Sequence, residues 1–158
     1  MPIKRKSAAI MFTDIAGYTK TMSESEQKAL EMLRKKRAII KPLIDNHKGT
    51  YVKEIGDGTL SYFESGYNAS ACAKDLQYGD LNVRIGIHIG DIAFDDCDVY
   101  GDGVNIASRI ESLAPAGGIL ISKNVYDEII NNDDLGKKFL SYPIPKEIVE
   151  EWEKVVNG

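Results

Sequence analysis

A short apolar run, Ala8 to Phe12, breaks into the polar, glycine-bearing stretch Thr13-Asp14-Ile15-Ala16-Gly17-Tyr18-Thr19, the pattern of a buried strand entering a loop. Ser23 followed by Glu26 has the form of a capping box, and Ala29, Leu33, Ile40 and Ile44 can share one face of a helix running to about His47. Pro42 is expected to bend that helix or mark its last turns. Two strand-like runs, Thr50 to Ile55 and Thr59 to Phe63, flank Gly56-Asp57-Gly58, and an Asp-Gly step between such runs predicts an antiparallel hairpin. A second helix is expected over Tyr67 to Gln77. Val83, Ile85, Ile87 and Ile89 then alternate with Arg84, Gly86, His88 and Gly90 at period two, the clearest strand in the chain.

Helical spacing returns from Val104 to Leu113, a small strand is expected at Gly118 to Ser122, and Lys123 to Ile130 reads as another helix. Beyond Pro143 and Pro145, the spacing of Ile148, Trp152, Val155 and Val156 fits an amphipathic terminal helix. Strands and helices thus interleave around at least one hairpin. That order predicts an α+β sandwich rather than a doubly wound parallel sheet, with no internal repeat and no linker.

Composition narrows the function classes. At 158 residues, 43% apolar and 28% charged, the chain is expected to form a single soluble domain over 1–158. No apolar stretch approaches the roughly 20 residues of a membrane span, and no signal peptide is visible. Cys72 and Cys97 lack metal-ligand spacing, so free thiols in a reducing, cytoplasmic setting are expected. A net charge of -4 offers no basic field for nucleic acid, and Lys4-Arg5-Lys6 reads as a solvated terminus.

Candidate chemistry begins with Asp14 at a strand end and Asp57 in the hairpin, where neighbouring strand ends can bring two carboxylates together. Magnesium-like ions prefer oxygen ligands and share their coordination with water and phosphate, so two aspartates are sufficient protein ligation. Spacing alone equally allows Asp14 to cap a turn and Asp57 to open an Asp-Gly hairpin. Asn105 and Arg109, four apart, share a helix face, and a guanidinium there suits either an anionic transition state or a surface ion pair.

Four segments together carry a stronger signal: Phe12-Thr13-Asp14-Ile15-Ala16-Gly17-Tyr18-Thr19, Lys53-Glu54-Ile55-Gly56-Asp57-Gly58, Arg84-Ile85-Gly86-Ile87-His88-Ile89-Gly90, and Tyr100-Gly101-Asp102-Gly103-Val104-Asn105-Ile106-Ala107-Ser108-Arg109. In this order they resemble the motif series of class III adenylate cyclases, over about Ala8 to Tyr126. The resemblance implies a ferredoxin-like, palm-type sandwich with a mainly antiparallel sheet, and an enzyme that converts ATP to cyclic AMP and pyrophosphate.

It further implies two Mg2+ or Mn2+ ions per site, bound by Asp14, Asp57 and the backbone carbonyl of Ile15. Ile15, Ala16, Gly17, Tyr18 and Thr19 would line the phosphates, Asn105 would orient the ribose, and Arg109 would stabilise the pentavalent phosphate. Lys53 and Asp98 stand where adenine-specifying residues are found; a donor for N1 and an acceptor for the N6 amino group match adenine rather than guanine. Because the family divides these residues between two subunits and this chain carries both sets, a homodimer is implied.

Two departures stand out. The stretch between Phe63 and Arg84 is short, and the tail from about Leu135 does not resemble the family's closing strands, so neither Lys137 nor Lys138 can be assigned to the terminal phosphate. No sensor or transducer segment is visible, which suggests an excised catalytic module. A catalytically silent nucleotide-binding or dimerisation module of the same fold is the alternative. A cyclic-dinucleotide-forming palm enzyme lacks support because no Gly-Gly-Asp-Glu-Phe string occupies the hairpin. His88 is expected to be structural, Trp152 a packing anchor, Tyr18 and Tyr100 supports stacked on backbone, Cys72 helix core and Cys97 a loop thiol.

Overall fold

A computed structural model describes residues 3–77, 81–95 and 98–130. Along the chain run β1 (Lys4–Ile15), α1 (Tyr18–Glu24), α2 (Glu26–Asn46), β2 (Thr50–Ile55), β3 (Gly58–Phe63), α3 (Gly66–Leu76), β4 (Val83–Phe94), β5 (Val99–Tyr100), α4 (Asp102–Leu113), β6 (Ile119–Ile121) and α5 (Lys123–Ile129). The strands form one six-stranded sheet in the order β2-β3-β1-β4-β5, with β6 added beside β4. Every pairing is antiparallel except β4 with β6. This is the α+β sandwich expected from the interleaving of hydrophobic periods, with the palm-type, mainly antiparallel sheet that the family resemblance implies.

Alternation along the strands sorts apolar side chains to two faces. Ala9, Met11, Phe63, Val83, Ile85 and Ile87 meet Ile40 and Ile44 of α2, Ala69, Cys72 and Ala73 of α3, and Val125 of α5. On the opposite face Ala8, Ile10, Phe12, Leu60, Ile92 and Val99 pack with Ala107 of α4. The approach of α4 depends on glycine. A Cβ at Gly86 would lie 2.3 Å from the Glu111 nitrogen and 2.8 Å from the Ala107 carbonyl oxygen, and one at Gly90 would lie 3.2 Å from the Gly103 Cα.

Several expectations need correction. The cap of the long helix is Ser25, whose hydroxyl accepts from the Lys28 N–H at 3.3 Å; Ser23 instead belongs to α1 and donates to the Lys20 carbonyl. The short helix α1 begins at Tyr18, inside the stretch read as loop, because Gly17, at φ 76°, turns the backbone directly into a helix start. Pro42 does mark the last turn of α2, four residues before its end. The Lys4-Arg5-Lys6 cluster belongs to β1, and Lys6 pairs with Glu64 at 2.6 Å above the rings of Tyr62 and Phe94. β5 has only two residues, too short for a hydrophobic period to register. The expected terminal helix, Trp152, Lys137, Lys138 and Cys97 lie outside the described residues. No helix among those described is long and apolar enough to cross a membrane.

Candidate active site

β1 and β4 pair so that Asp14 stands opposite Arg84, and β1 pairs β3 through Thr13 and Thr59, directly after the β2–β3 turn. Asp57 sits in that turn, which Gly56 makes possible with φ 61°. Gly58 allows the turn to close on β1, since a Cβ there would meet the Thr13 carbonyl at 3.1 Å. The Asp57 carboxylate then accepts the Ile15 N–H at 2.9 Å through Oδ2. Two segments more than 40 residues apart in the chain are thereby tied together, and Asp14 and Asp57 both line the pocket at their junction.

An open pocket of about 470 Å³ lies over them, lined by Asp14, Ile15, Ala16, Gly17, Tyr18, Thr19, Lys20, Asp57, Arg84, Ala114 and Ala116. All five residues read as the phosphate-facing turn and its flanks therefore share one concavity with both aspartates. Its charge is mixed. Arg84 holds Asp14 through both carboxylate oxygens, from Nε at 2.8 Å and from Nη2. Glu111 of α4 lies 4.0 Å from Arg84 Nε through its buried Oε1, which makes no hydrogen bond among the described residues. Burial first, and then the Asp14 carboxylate beside it, push Glu111 well above the usual carboxylate range.

Beneath the pocket Lys36 is buried, 1% exposed, and its ammonium donates to the backbone carbonyls of Asp57 and Thr13, the latter at 3.4 Å. Burial lowers its pKa to about 8, against the opposing pull of Asp57 and Asp14.

Lys53 and Asp98 meet at 2.7 Å, although they come from opposite ends of the strand order. The Lys53 ammonium holds the Asp98 carboxyl below its usual range, and Asp98 is oriented further by accepting the Val99 N–H at 2.8 Å. This pair does not line the pocket. Asn105 and Arg109 do share a face of α4, as expected, but it is the exposed face, opposite Gly103, Ala107 and Ile110. They do not line the pocket either.

The profile of the adenylate and guanylate cyclase catalytic domain family matches this chain over residues 2–77 and 60–139. The chain belongs to that family. A protein named "Putative adenylate cyclase 3" from Rhizobium meliloti (strain 1021) is 36% identical over 146 residues, which cover 84% of this chain and 25% of the relative. This chain thus spans about a quarter of that relative's length. Among solved structures, the adenylate/guanylate cyclase/hydrolase from Silicibacter pomeroyi superposes with a TM-score of 0.76 at 33% identity, covering 82% of this chain and 83% of the other. The monomeric guanylyl cyclase domain of the RhoGC fusion protein from Blastocladiella emersonii gives 0.76 at 25% identity, covering 83% and 90%.

Three residues of the pocket region escaped sequence reading. Arg84 lay inside a quoted motif, but only the β1–β4 register reveals that it faces Asp14. Lys36 was hidden in the charged run Arg34-Lys35-Lys36-Arg37, although the buried series Ala29, Leu33, Lys36, Ile40, Ile44 places it on the apolar stripe of α2. Glu111 likewise follows Ile110 on the buried side of α4. Tyr100 is about half exposed, 48%, and its hydroxyl donates to Asp95 Oδ2 at 3.3 Å. His88 has a buried Nδ1 without a partner among the described residues, and burial lowers its pKa, which suits a neutral structural imidazole.

The donor set of the pocket suits a hard cation. Asp14, Asp57 and the Ile15 carbonyl offer only oxygen, and the described residues hold no cluster of three or more metal-ligating side chains. A set this sparse fits magnesium or manganese, which take the rest of their coordination from water and phosphate.

Proposed function

We propose that the chain is the catalytic domain of an adenylate cyclase, converting ATP to 3′,5′-cyclic AMP and pyrophosphate in a site shared across a homodimer. The observation that carries the reading is the division of charged groups between two surfaces. Asp14, Asp57 and Arg84 gather in one pocket, whereas Lys53, Asp98, Asn105 and Arg109 face elsewhere on the same chain. One chain holds two half-sites, and a two-fold axis can join the first half of one copy to the second half of another, twice over.

In this reading Asp14, Asp57 and the Ile15 carbonyl would hold two divalent cations, Mg2+ or Mn2+, which would supply positive charge to the ribose 3′-hydroxyl and to the pyrophosphate leaving group. Arg84 must then release Asp14. Partly exposed at the pocket wall, its guanidinium can turn to an anionic phosphate, exchanging a carboxylate partner for another oxyanion. The Ala16-to-Thr19 turn admits the phosphates close to backbone because Gly17 carries no side chain.

From the other copy, Asn105 orients the ribose ring. Arg109, charged throughout, donates to the phosphoryl oxygens as the 3′-hydroxyl loses its proton to water, the O3′–Pα bond forms and the bond to pyrophosphate breaks. Lys53 donates to adenine N1 and Asp98 accepts from N6; guanine presents the opposite pattern at both positions. Their ion pair in the free chain presets both groups for that base.

The alternative, a silent nucleotide-binding module, draws on one observation: Arg84 occupies the very carboxylate a metal would need. Assaying cyclic nucleotide from ATP and from GTP, with Mg2+ or Mn2+ and with D57A as control, separates the two. Cyclic AMP that disappears in D57A supports the cyclase. Nucleotide binding without product supports the silent module.

A further inference from the structure

Lys36 is among the largest fully buried side chains of the described residues, and it occupies the one non-apolar position in the buried stripe of α2. Burying an ammonium costs several kcal/mol unless it is well partnered, and a leucine would fill the same stripe without that cost. Fold stability alone therefore gives no reason for a lysine here. What the ammonium reaches is informative. Its acceptors are two backbone carbonyls, that of Thr13, the residue before Asp14, and that of Asp57 itself.

The same junction is tied from the pocket side by the Ile15 N–H on Asp57 Oδ2 at 2.9 Å. Next to Lys36, Arg37 grips Glu54 of β2 through two hydrogen bonds of 2.7 and 2.9 Å, which seats this turn of α2 against the hairpin. Three ties thus fix the peptide planes that carry both aspartates, and Lys36 supplies two of them.

We propose that Lys36 is a positioning residue that sets the relative placement of Asp14 and Asp57, the pair on which the cyclase reading rests. It touches neither substrate nor any reacting atom. Its head holds the backbone of two segments distant in sequence, so the carboxylates are pre-placed for a shared cation before ligand arrives. Removing it loosens the turn without altering the pocket's lining side chains. The effect falls on turnover more than on nucleotide binding, because Lys53 and Asp98, the groups that read the base, lie elsewhere.

The test compares wild type, K36M and K36R, with thermal unfolding to establish that each is folded. The first readout is amide exchange in the metal-free protein at Ile15, against Met11 in the same strand as reference. K36M is expected to exchange at Ile15 about tenfold faster with Met11 unchanged, and K36R to restore protection. The second is steady-state kinetics: kcat is expected to fall about tenfold or more in K36M, with KM for ATP within about twofold of wild type. A folded K36M with wild-type exchange at Ile15 and wild-type kcat overturns the proposal. If K36M does not fold, K36Q, which keeps one amide donor, is read by the same criteria. A wild-type protein that makes no cyclic nucleotide contradicts the cyclase reading alone, since the exchange measurement needs neither metal nor turnover and still decides whether Lys36 orders the pair.

Discussion

Arg84, Asp14 and Glu111 form a charge cluster in which one cation faces two acids, and the more buried acid is the one driven toward its neutral form. The consequence for stability follows from linkage. A carboxyl whose folded pKa lies above its ordinary value of 4.5 stabilises the fold fully below that pH, and the contribution is lost as pH rises through the elevated folded value. In the metal-free protein E111Q, permanently neutral and nearly isosteric, is therefore expected to gain stability over wild type as pH rises from about 4.5 toward 8. The expected gain at the alkaline end is about 1–3 kcal/mol. Urea unfolding at several pH values checks this, and a difference that does not vary with pH contradicts it. Base recognition belongs to the same scale. The double variant K53E/D98C replaces a donor with an acceptor and an acceptor with a weak donor, so cyclic nucleotide assays are expected to show the ATP-to-GTP preference falling by about tenfold or more.

At the scale of elements, the site depends on how closely α4 and the β2–β3 turn approach the central strands. Gly86 lets α4 lie against β4, and the same helix carries Asn105 and Arg109 outward. G86A would press a methyl group onto α4 backbone. It is expected to cost about 1–3 kcal/mol in urea unfolding and to lower turnover by displacing that face of the helix.

Much of this framework was legible in sequence because it is local. Period-two alternation in Val83 to Ile89 located β4, and Gly56-Asp57-Gly58 located the hairpin. The illegible parts are those set by register or by tertiary override. Asp14 meets Arg84 only through antiparallel pairing across 70 positions, and Lys36 breaks the rule that charged residues face water. Ser23, expected to cap the long helix, lies inside α1, which starts at Tyr18, so that Ser25 caps α2 instead.

For the whole molecule, one chain presents an acidic, arginine-bearing pocket on one surface and an exposed Asn105-Arg109 face together with a separate Lys53–Asp98 pair on others. Neither set suffices for catalysis in the proposed mechanism, so activity must depend on protein concentration, with specific activity rising as monomers associate. The most direct test of the shared-site cyclase mixes two disabled proteins, D57A and R109A, each confirmed folded. Each alone is expected to make little or no cyclic AMP. If subunits exchange freely, half of the dimers are mixed and each of these has one intact site, so the mixture is expected to recover about a quarter of wild-type activity. No recovery on mixing, with wild-type protein active and subunit exchange verified, would contradict the shared site.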